Sequence, residues 1–231
     1  MGAVWRCGIM QLLCSHNNLQ REISQCFGSS PYPGTTLSPS TGAHRLMSGA
    51  SYNLAKIRYA RLRRAAYDIT AVEWSLTTHP PVRLTDIDSG TLKAWQTTWT
   101  RSHPNGRGGW NWSTLADEFR TDPAAFKPAL WSDGILCGMA LGRTSHPSSG
   151  GTRNAIAIHY LESHPDPSHP LKGSVALLLI TAAEFYGKRL GASKIRLVDP
   201  APGAVHIYVQ LGFAVARKPS GLLYCEKEIA R

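Results

Sequence analysis

Three side chains in this sequence are placed for proton transfer: Tyr208, Asp199 and Glu162. A phenol has an ordinary pKa of about 10, so at neutral pH Tyr208 is a proton donor suited to a departing thiolate. Asp199 closes the strand-like run KIRLVDP. A carboxylate there faces the crevice where such sheets hold ligands and can accept hydrogen bonds from an amino group, or it caps the following turn. Glu162 is a second candidate base, with His164 a third. Gly173 and Ser174 stand at the mouth of a helix directly after a strand, where unpaired N–H groups and the helix dipole attract an anion. Lys172 adds a cation beside them, and Ser174 is expected to cap the helix through its hydroxyl. The chain has no G-x-x-x-x-G-K-[ST] or G-x-G-x-x-G run, so a pantetheine-phosphate cofactor fits better than a mononucleotide.

These residues depend on an alternating frame. NAIAIHYLES reads as a strand and HPDPSHPLKG as a loop. SVALLLITAAEFYGKRLG reads as a helix closed by Gly191, KIRLVDP as a second strand, and GAVHIYVQLGF as a short helix ending at Gly212-Phe213. Upstream, ITAVEWSLT (69–77) and VRLTDI (82–87) are strand candidates around Pro80-Pro81. Ser89 is expected to cap a helix through TLKAWQTTWTRSH, whose Trp95 and Trp99 share one face as core. Ser113 is expected to open a second helix, STLADEFR. ALWSD and ILCGMALGR form a hairpin with Asp133-Gly134 at its turn. FAVARK and LLYCEKEI close the chain as two strands around Pro219-Ser220-Gly221.

This order resembles the GCN5-related N-acetyltransferases (GNAT), in which acyl-CoA lies between two splayed parallel strands. The family's phosphate-loop pattern is Arg/Gln-x-x-Gly-x-Gly/Ala; Pro170-Leu171-Lys172-Gly173-Ser174-Val175 keeps its middle glycine. In the last-helix pattern, Ala204, Tyr208, Gly212 and Phe213 fall in register, with Ala201 in place of asparagine. The resemblance implies a mixed α/β fold with splayed central strands from about residue 81 to 231, acyl-CoA (acetyl-CoA) as cofactor, and Tyr208 as the general acid. It assigns the cleft to His159, Tyr160, Leu161 and Glu162 on the first strand, and to Leu171, Lys172, Gly173, Ser174 and Val175 in the loop.

At 231 residues the chain can bury one good core and carry an extension. Residues 1–50, rich in Ser, Gly, Pro and Asn, read as a flexible arm, with Met47 an alternative start. Residues 51–80 read as a basic helix and strand extension. No apolar run approaches the roughly 20 residues that span a bilayer, and no signal-peptide pattern is evident, so a cytoplasmic setting is expected. Five cysteines without framework spacing agree with a reducing compartment. Cys137 and Cys225 read as core. Cys7, Cys14, Cys26 and His16 match no usual zinc spacing, and no metal site is assigned.

The formal net charge of +10 favours a polyanion partner. Lys56, Arg58, Arg61, Arg63 and Arg64 cluster in the basic helix, and Arg101, His103 and Arg107 flank a glycine-rich loop. Trp110, Trp112 and Trp131 are surplus aromatics of the kind that stack on a base taken from the duplex. These features point to double-stranded DNA as partner, with a homodimer admitted. Through WNWSTLADEFR, ALWSDGILCGMALG and SHPLKG the sequence is also similar to the Mom-type DNA-modification family of bacteriophages. That similarity implies conversion of DNA adenine to N6-carbamoylmethyl (acetamido) adenine, which shields phage DNA from restriction inside the host. The bond made is N–CH2, which simple acyl transfer does not form, so an acyl-CoA, a glycine-derived donor and a metal-assisted step stay open. Two other readings stand beside it: an ordinary acyl-CoA N-acetyltransferase of a protein or small amine, and a non-enzymatic DNA-binding protein on the same scaffold.

Overall fold

The computed structural model describes residues 49–76, 79–102, 110–145, 155–217 and 221–230. The expectations for residues 1–48, for His103 and Arg107, and for most of the 144–153 loop lie outside the described residues, as do the side chain of Arg101 and the set Cys7, Cys14, His16 and Cys26.

The chain opens with helix α1 (Gly49–Ser75), followed by β1 (Arg83–Asp86), α2 (Ser89–Ser102) and α3 (Trp112–Phe119). The hairpin β2 (Pro128–Ser132) and β3 (Ile135–Thr144) turns at Asp133 and Gly134, whose φ values of 50° and 76° are those of a tight primed turn. Then come β4 (Ala155–Ser163), α4 (Val175–Leu190), β5 (Lys194–Val198), a 3-10 turn (Pro202–Ala204), α5 (Val205–Gln210), β6 (Ala214–Arg217) and β7 (Leu223–Glu228).

The strands form a seven-stranded sheet in the order β1-β2-β3-β4-β5-β7-β6. Its one parallel pair is β4 with β5; the others are antiparallel. β4 and β5 pair only from Ala155↔Lys194 to Ile158↔Leu197, whereas β4 stays paired to β3 as far as Gly138↔Ser163. Beyond Ile158 the two central strands part, and the β4 edge over 159–163 lines the gap. A bulge marks the divergence: Leu141 pairs Tyr160 and Gly142 pairs Ile158, which leaves His159 as the extra residue. This is the mixed α/β architecture with splayed strands that the sequence implied.

Glycines let the layers close. A Cβ at Gly142 would lie 2.7 Å from the Ala157 carbonyl oxygen, so β3 needs glycine opposite the bulge. A Cβ at Gly138 would meet Val175 Cγ1 at 2.3 Å, so the first turn of α4 rests directly on β3. α4 ends at Gly191 in the left-handed region (φ 70°), with Lys188 and Arg189 suiting the negative end of its dipole.

Two apolar clusters lie among the described residues. One joins α1, α4 and α5 to the sheet through Tyr67, Phe126, Leu179, Tyr186, Ile195 and Tyr208. The other joins α2 and α3 through Trp99, Trp112, Phe119, Met139 and Leu141, with Tyr160 packed against it. Cys137 and Cys225 are buried, as expected.

Several local expectations are corrected. Residues 69–75 are helical, because Arg63, Ala66, Tyr67, Thr70 and Trp74 recur at helical spacing and bury as one stripe, and Thr70 Oγ1 donates back to the Ala66 carbonyl. The α2 cap is Asp88, not Ser89: Asp88 Oδ1 accepts from the Thr91 N–H and hydroxyl at 2.8 and 3.0 Å. The α3 cap is Asn111, not Ser113; its side chain accepts from Ser113 N and Thr114 N. Ser174 occupies the cap position of α4, but at φ −111°, ψ −10° its hydroxyl makes no capping hydrogen bond.

Candidate active site

The alternation of β4, reset by the bulge, sends Tyr160 and Glu162 toward the α2–α3 side, opposite Leu141 and Met139. Glu162 is 6% exposed. Trp112, fully buried at the start of α3, donates its indole Nε1–H to Glu162 Oε2 at 2.5 Å. Burial disfavours the carboxylate and outweighs the Trp112 hydrogen bond, so the Glu162 pKa is pushed up to about 8. A carboxyl in this state is mostly protonated at neutral pH and, once ionised, a stronger base than an ordinary carboxylate.

Aromatic rings surround it. Trp110, about 38% exposed, meets Tyr160 edge-on at 5.2 Å and Trp112 at 6.3 Å. Phe119 meets Tyr160 and His159 at 6.3 Å each, and the Arg143 guanidinium lies over Phe119 at 4.5 Å. Burial also raises the Tyr160 pKa, so its phenol remains neutral. The result is an aromatic surface, partly open at Trp110, with an acid at its inner end.

The loop after β4 is held by two buried histidines. His164 Nδ1 accepts from the Asp166 N–H at 3.0 Å, and His169 Nδ1 accepts from the Leu171 N–H at 3.3 Å. Each bond requires an unprotonated Nδ1. His169, whose pKa burial lowers to about 4, therefore carries its proton on Nε2 and donates it to Ser163 Oγ at 3.1 Å. His164 is thereby a loop anchor, and its ring meets that of Trp99 edge-on at 5.5 Å.

The loop ends at Gly173, whose φ of 83° favours glycine, and hands over to the 16-residue α4. Leu171 and Val175 are buried at 1% and 3%, fixing the loop to the core, while Lys172 and Gly173 are half-buried. This loop joins the β4 edge that has parted from β5 to the first turn of α4, where the Ser174 N–H is already taken by the Leu171 carbonyl at 3.0 Å. Of the residues expected to hold acyl-CoA, His159, Tyr160 and Leu161 lie on that edge, Lys172 and Gly173 are half-buried in the loop, and Leu171, Ser174 and Val175 are buried.

Tyr208 is 6% exposed and packs edge-on against Phe213 at 6.1 Å. Burial, then the nearby Cys225, raises its pKa well above the ordinary phenol value, so it holds its proton at any physiological pH. It belongs to the α1–α4–α5 cluster; among the described residues no hydrogen bond or ring contact joins it to Glu162. Asp199 is exposed at the end of β5 with φ 49°, and its N–H donates to the Leu223 carbonyl. It shares the parted end of the strand pair with Glu162 without touching it.

The basic helix divides. Lys56, Arg58, Arg61 and Arg64 are exposed. Arg63, expected among the nucleic-acid contacts, is instead an interior residue at 3% exposure. It grips both Asp86 oxygens at 2.7–3.1 Å and the Pro123 and Ala125 carbonyls at 2.8 and 3.2 Å. Trp112 is likewise a buried hydrogen-bond donor, not a stacking surface, and Trp131 lies beneath Arg83 at 5.3 Å. The roles of Trp112 and of the Ser163–His169 pair were missed. Trp112 lies 50 residues from Glu162, and no local pattern announces the pair. Among the described residues no group of three or more His, Cys, Asp or Glu side chains is arranged to hold a metal, and no helix is long and apolar enough to cross a membrane.

No protein-family model matches the chain, and no curated protein does. Solved structures similar to it include the ribosomal-protein-S18-alanine N-acetyltransferase of Escherichia coli, at 17% identity and TM-score 0.45 over 65% of this chain and 95% of that one. Another is an acetyltransferase of the GNAT family from Listeria monocytogenes, at 19% and 0.44 over 64% and 94%. A third is yncA, a putative acetyltransferase of Salmonella typhimurium solved with acetyl-CoA, at 13% and 0.46 over 65% and 95%. Likeness at this level does not extend to substrate or catalytic residues.

Proposed function

We propose that this protein is a group-transfer enzyme that takes an acyl-CoA along the free edge of β4 and modifies the N6 amine of adenine in double-stranded DNA. The product is the N6-carbamoylmethyl adenine implied by the phage-family similarity, made in the compartment that holds the DNA, the host cytoplasm. The observation that carries this reading is Glu162, a buried acid with its pKa near 8 at the inner end of an aromatic surface.

Adenine N6 is a poor nucleophile, because its lone pair is delocalised into the ring. A base poised near neutral pH must take its proton as the new bond forms. Glu162 meets that demand, while Trp110 and Tyr160 offer ring faces to a planar heterocycle. Stacking there is worth about 1–3 kcal/mol per base and offsets part of the few kcal/mol needed to unstack it. In this reading Asp199 accepts from the exocyclic amine and Tyr208 gives its proton to the leaving group. Lys56, Arg58 and Arg64 are exposed for phosphate contact, in keeping with the +10 charge. A bound acyl-CoA alone would deliver its acyl carbon, with loss of the thiol, and give N6-acyl adenine. The N–CH2 bond therefore requires a co-reactant whose electrophilic carbon is saturated and carries its own leaving group, such as a glycine-derived donor. An N–CH2 product requires the electrophile to be a saturated carbon, which separates it from an N-acetyl product by mass.

Mass spectrometry of nucleosides from the DNA of cells expressing the protein tests the reading, with Glu162→Gln and Asp199→Ala alongside. A heavier deoxyadenosine, absent in Glu162→Gln, is expected, and its mass increment distinguishes carbamoylmethyl from acetyl. Unmodified DNA from cells with good expression, together with acetylation of protein or small amines, would contradict it in favour of an ordinary N-acetyltransferase. DNA binding that survives Glu162→Gln and Tyr208→Phe with no altered base would favour the non-enzymatic reading.

A further inference from the structure

Three of the eight exposed large apolar side chains among the described residues, Leu54, Ile57 and Val72, lie on α1 at 69, 52 and 60% exposure, and a fourth, Leu76 at 76%, follows directly on its last residue. They occupy the two ends of one outward stripe whose middle is Arg61, Arg64 and Asp68, all at helical spacing. The opposite stripe, Arg63, Ala66, Tyr67, Thr70 and Trp74, is buried against the body of the protein.

The charges on α1 are ordered along its length. Its exposed bases (Lys56, Arg58, Arg61 and Arg64) all precede its acids (Asp68 and Glu73), and no acid stands in the first turn or base in the last. That order opposes the helix dipole, so the helix gains nothing from it alone. It suits an antiparallel copy, which sets the basic half of each helix beside the acidic half of the other.

We propose that α1 is a homodimer interface, with a second copy of this chain packed antiparallel along the outward stripe and the two-fold axis beside Ala65. In that register Leu54 faces Leu76 of the partner subunit, Ile57 faces Val72 of the partner subunit, and Arg61 faces Asp68 of the partner subunit. The contact is self-complementary, as a two-fold interface must be. Ala65 at the crossing is small and half-buried, which lets the helices approach closely. Within one chain Arg64 reaches Asp68 at 3.5 Å, but both side chains are largely exposed, so that pair contributes little and does not compete strongly. The dimer engages Arg61 in an ion pair and leaves Lys56 and Arg58 outside its central contacts; the two copies of Arg64 come together at the axis, each held by Asp68 of its own chain at 3.5 Å. It does not rest on the DNA reading.

Sedimentation equilibrium of the full chain, without DNA, tests this. The wild type is expected to be a dimer, Arg61→Asp a monomer because like charges then meet Asp68, and the double variant Arg61→Asp with Asp68→Arg a dimer again. Under oxidation Ala65→Cys is expected to form a covalent dimer beyond the wild-type background. Leu54→Cys is expected to form none, since its two copies lie about 33 Å apart at 1.5 Å per residue. A monomeric wild type would overturn the proposal and assign the stripe to residues preceding α1 or to another partner. A dimer indifferent to Arg61→Asp, or a folded double variant that stays monomeric, would overturn it as well.

Discussion

Arg63 and Glu162 are both sealed from solvent, at 3% and 6% exposure, yet the molecule treats them in opposite ways. Arg63, on the α1–α4 side, is satisfied by a two-pronged grip on Asp86 and by two carbonyls, and Tyr67 also donates to Asp86 at 3.2 Å. Burial alone would lower the Arg63 pKa. The hydrogen bonds and the Asp86 charge overcome that and hold it above its ordinary value, so it stays charged. Glu162, on the α2–α3 side, has the Trp112 indole as its donor among the described residues and no facing cation. A fully paired buried charge locks α1 to β1. An under-paired one is held away from its preferred state, the usual mark of a group kept for chemistry.

The sharpest contrast lies in pH dependence. The folded-state pKa of Glu162 is raised from 4.5 to about 8, so its contribution to stability is fully present below pH 4.5 and is lost as pH rises through 8. At about 1.36 kcal/mol per pH unit the loss amounts to roughly 5 kcal/mol. Denaturant unfolding of wild type and Glu162→Gln at pH 5 and pH 9 should show this drop in the wild type and a much flatter response in the variant.

Breaking the other member gives a loss insensitive to pH near neutrality. Arg63→Met leaves Asp86 with Lys127 at 3.8 Å as its remaining cation and should cost about 3–5 kcal/mol of unfolding free energy, measured in the same way at pH 7. Gly138→Val, which pushes α4 away from β3 and meets Glu162 only at its backbone oxygen, 3.3 Å from the new Cβ, should cost about 1–3 kcal/mol. Trp112→Phe sharpens the contrast most finely. Removing the one donor should push the Glu162 pKa higher still and shift the alkaline-going limb of its pH–rate profile upward, by about 1–2 kcal/mol in equivalent energy.

The difference between the two regions also explains what was legible in the sequence. Features set by neighbours in the chain could be read directly: the Asp133-Gly134 hairpin, the Gly191 stop of α4, and the strand–helix–strand run from β4 to β5. The second half of α1 was misread because Ile69, Thr70 and Val72 have strand propensity. The recurrence of Ala66, Tyr67, Thr70 and Trp74 every three or four residues outweighs it once α4 is there to cover that stripe. Arg63 looked like one more base in a basic run, because its partner Asp86 lies 23 residues away. Glu162 could be named from its place on the cleft strand, but its state could not, since that depends on the bulge at His159 and on an indole 50 residues distant.

The claim that Glu162 is held as a poised acid is tested most directly by infrared titration of its carboxyl stretch, taken as the difference between wild type and Glu162→Gln. A protonated carboxyl band that persists through neutral pH and disappears around pH 8 is the predicted result. A band lost near pH 4.5, as for an ordinary glutamate, would contradict it.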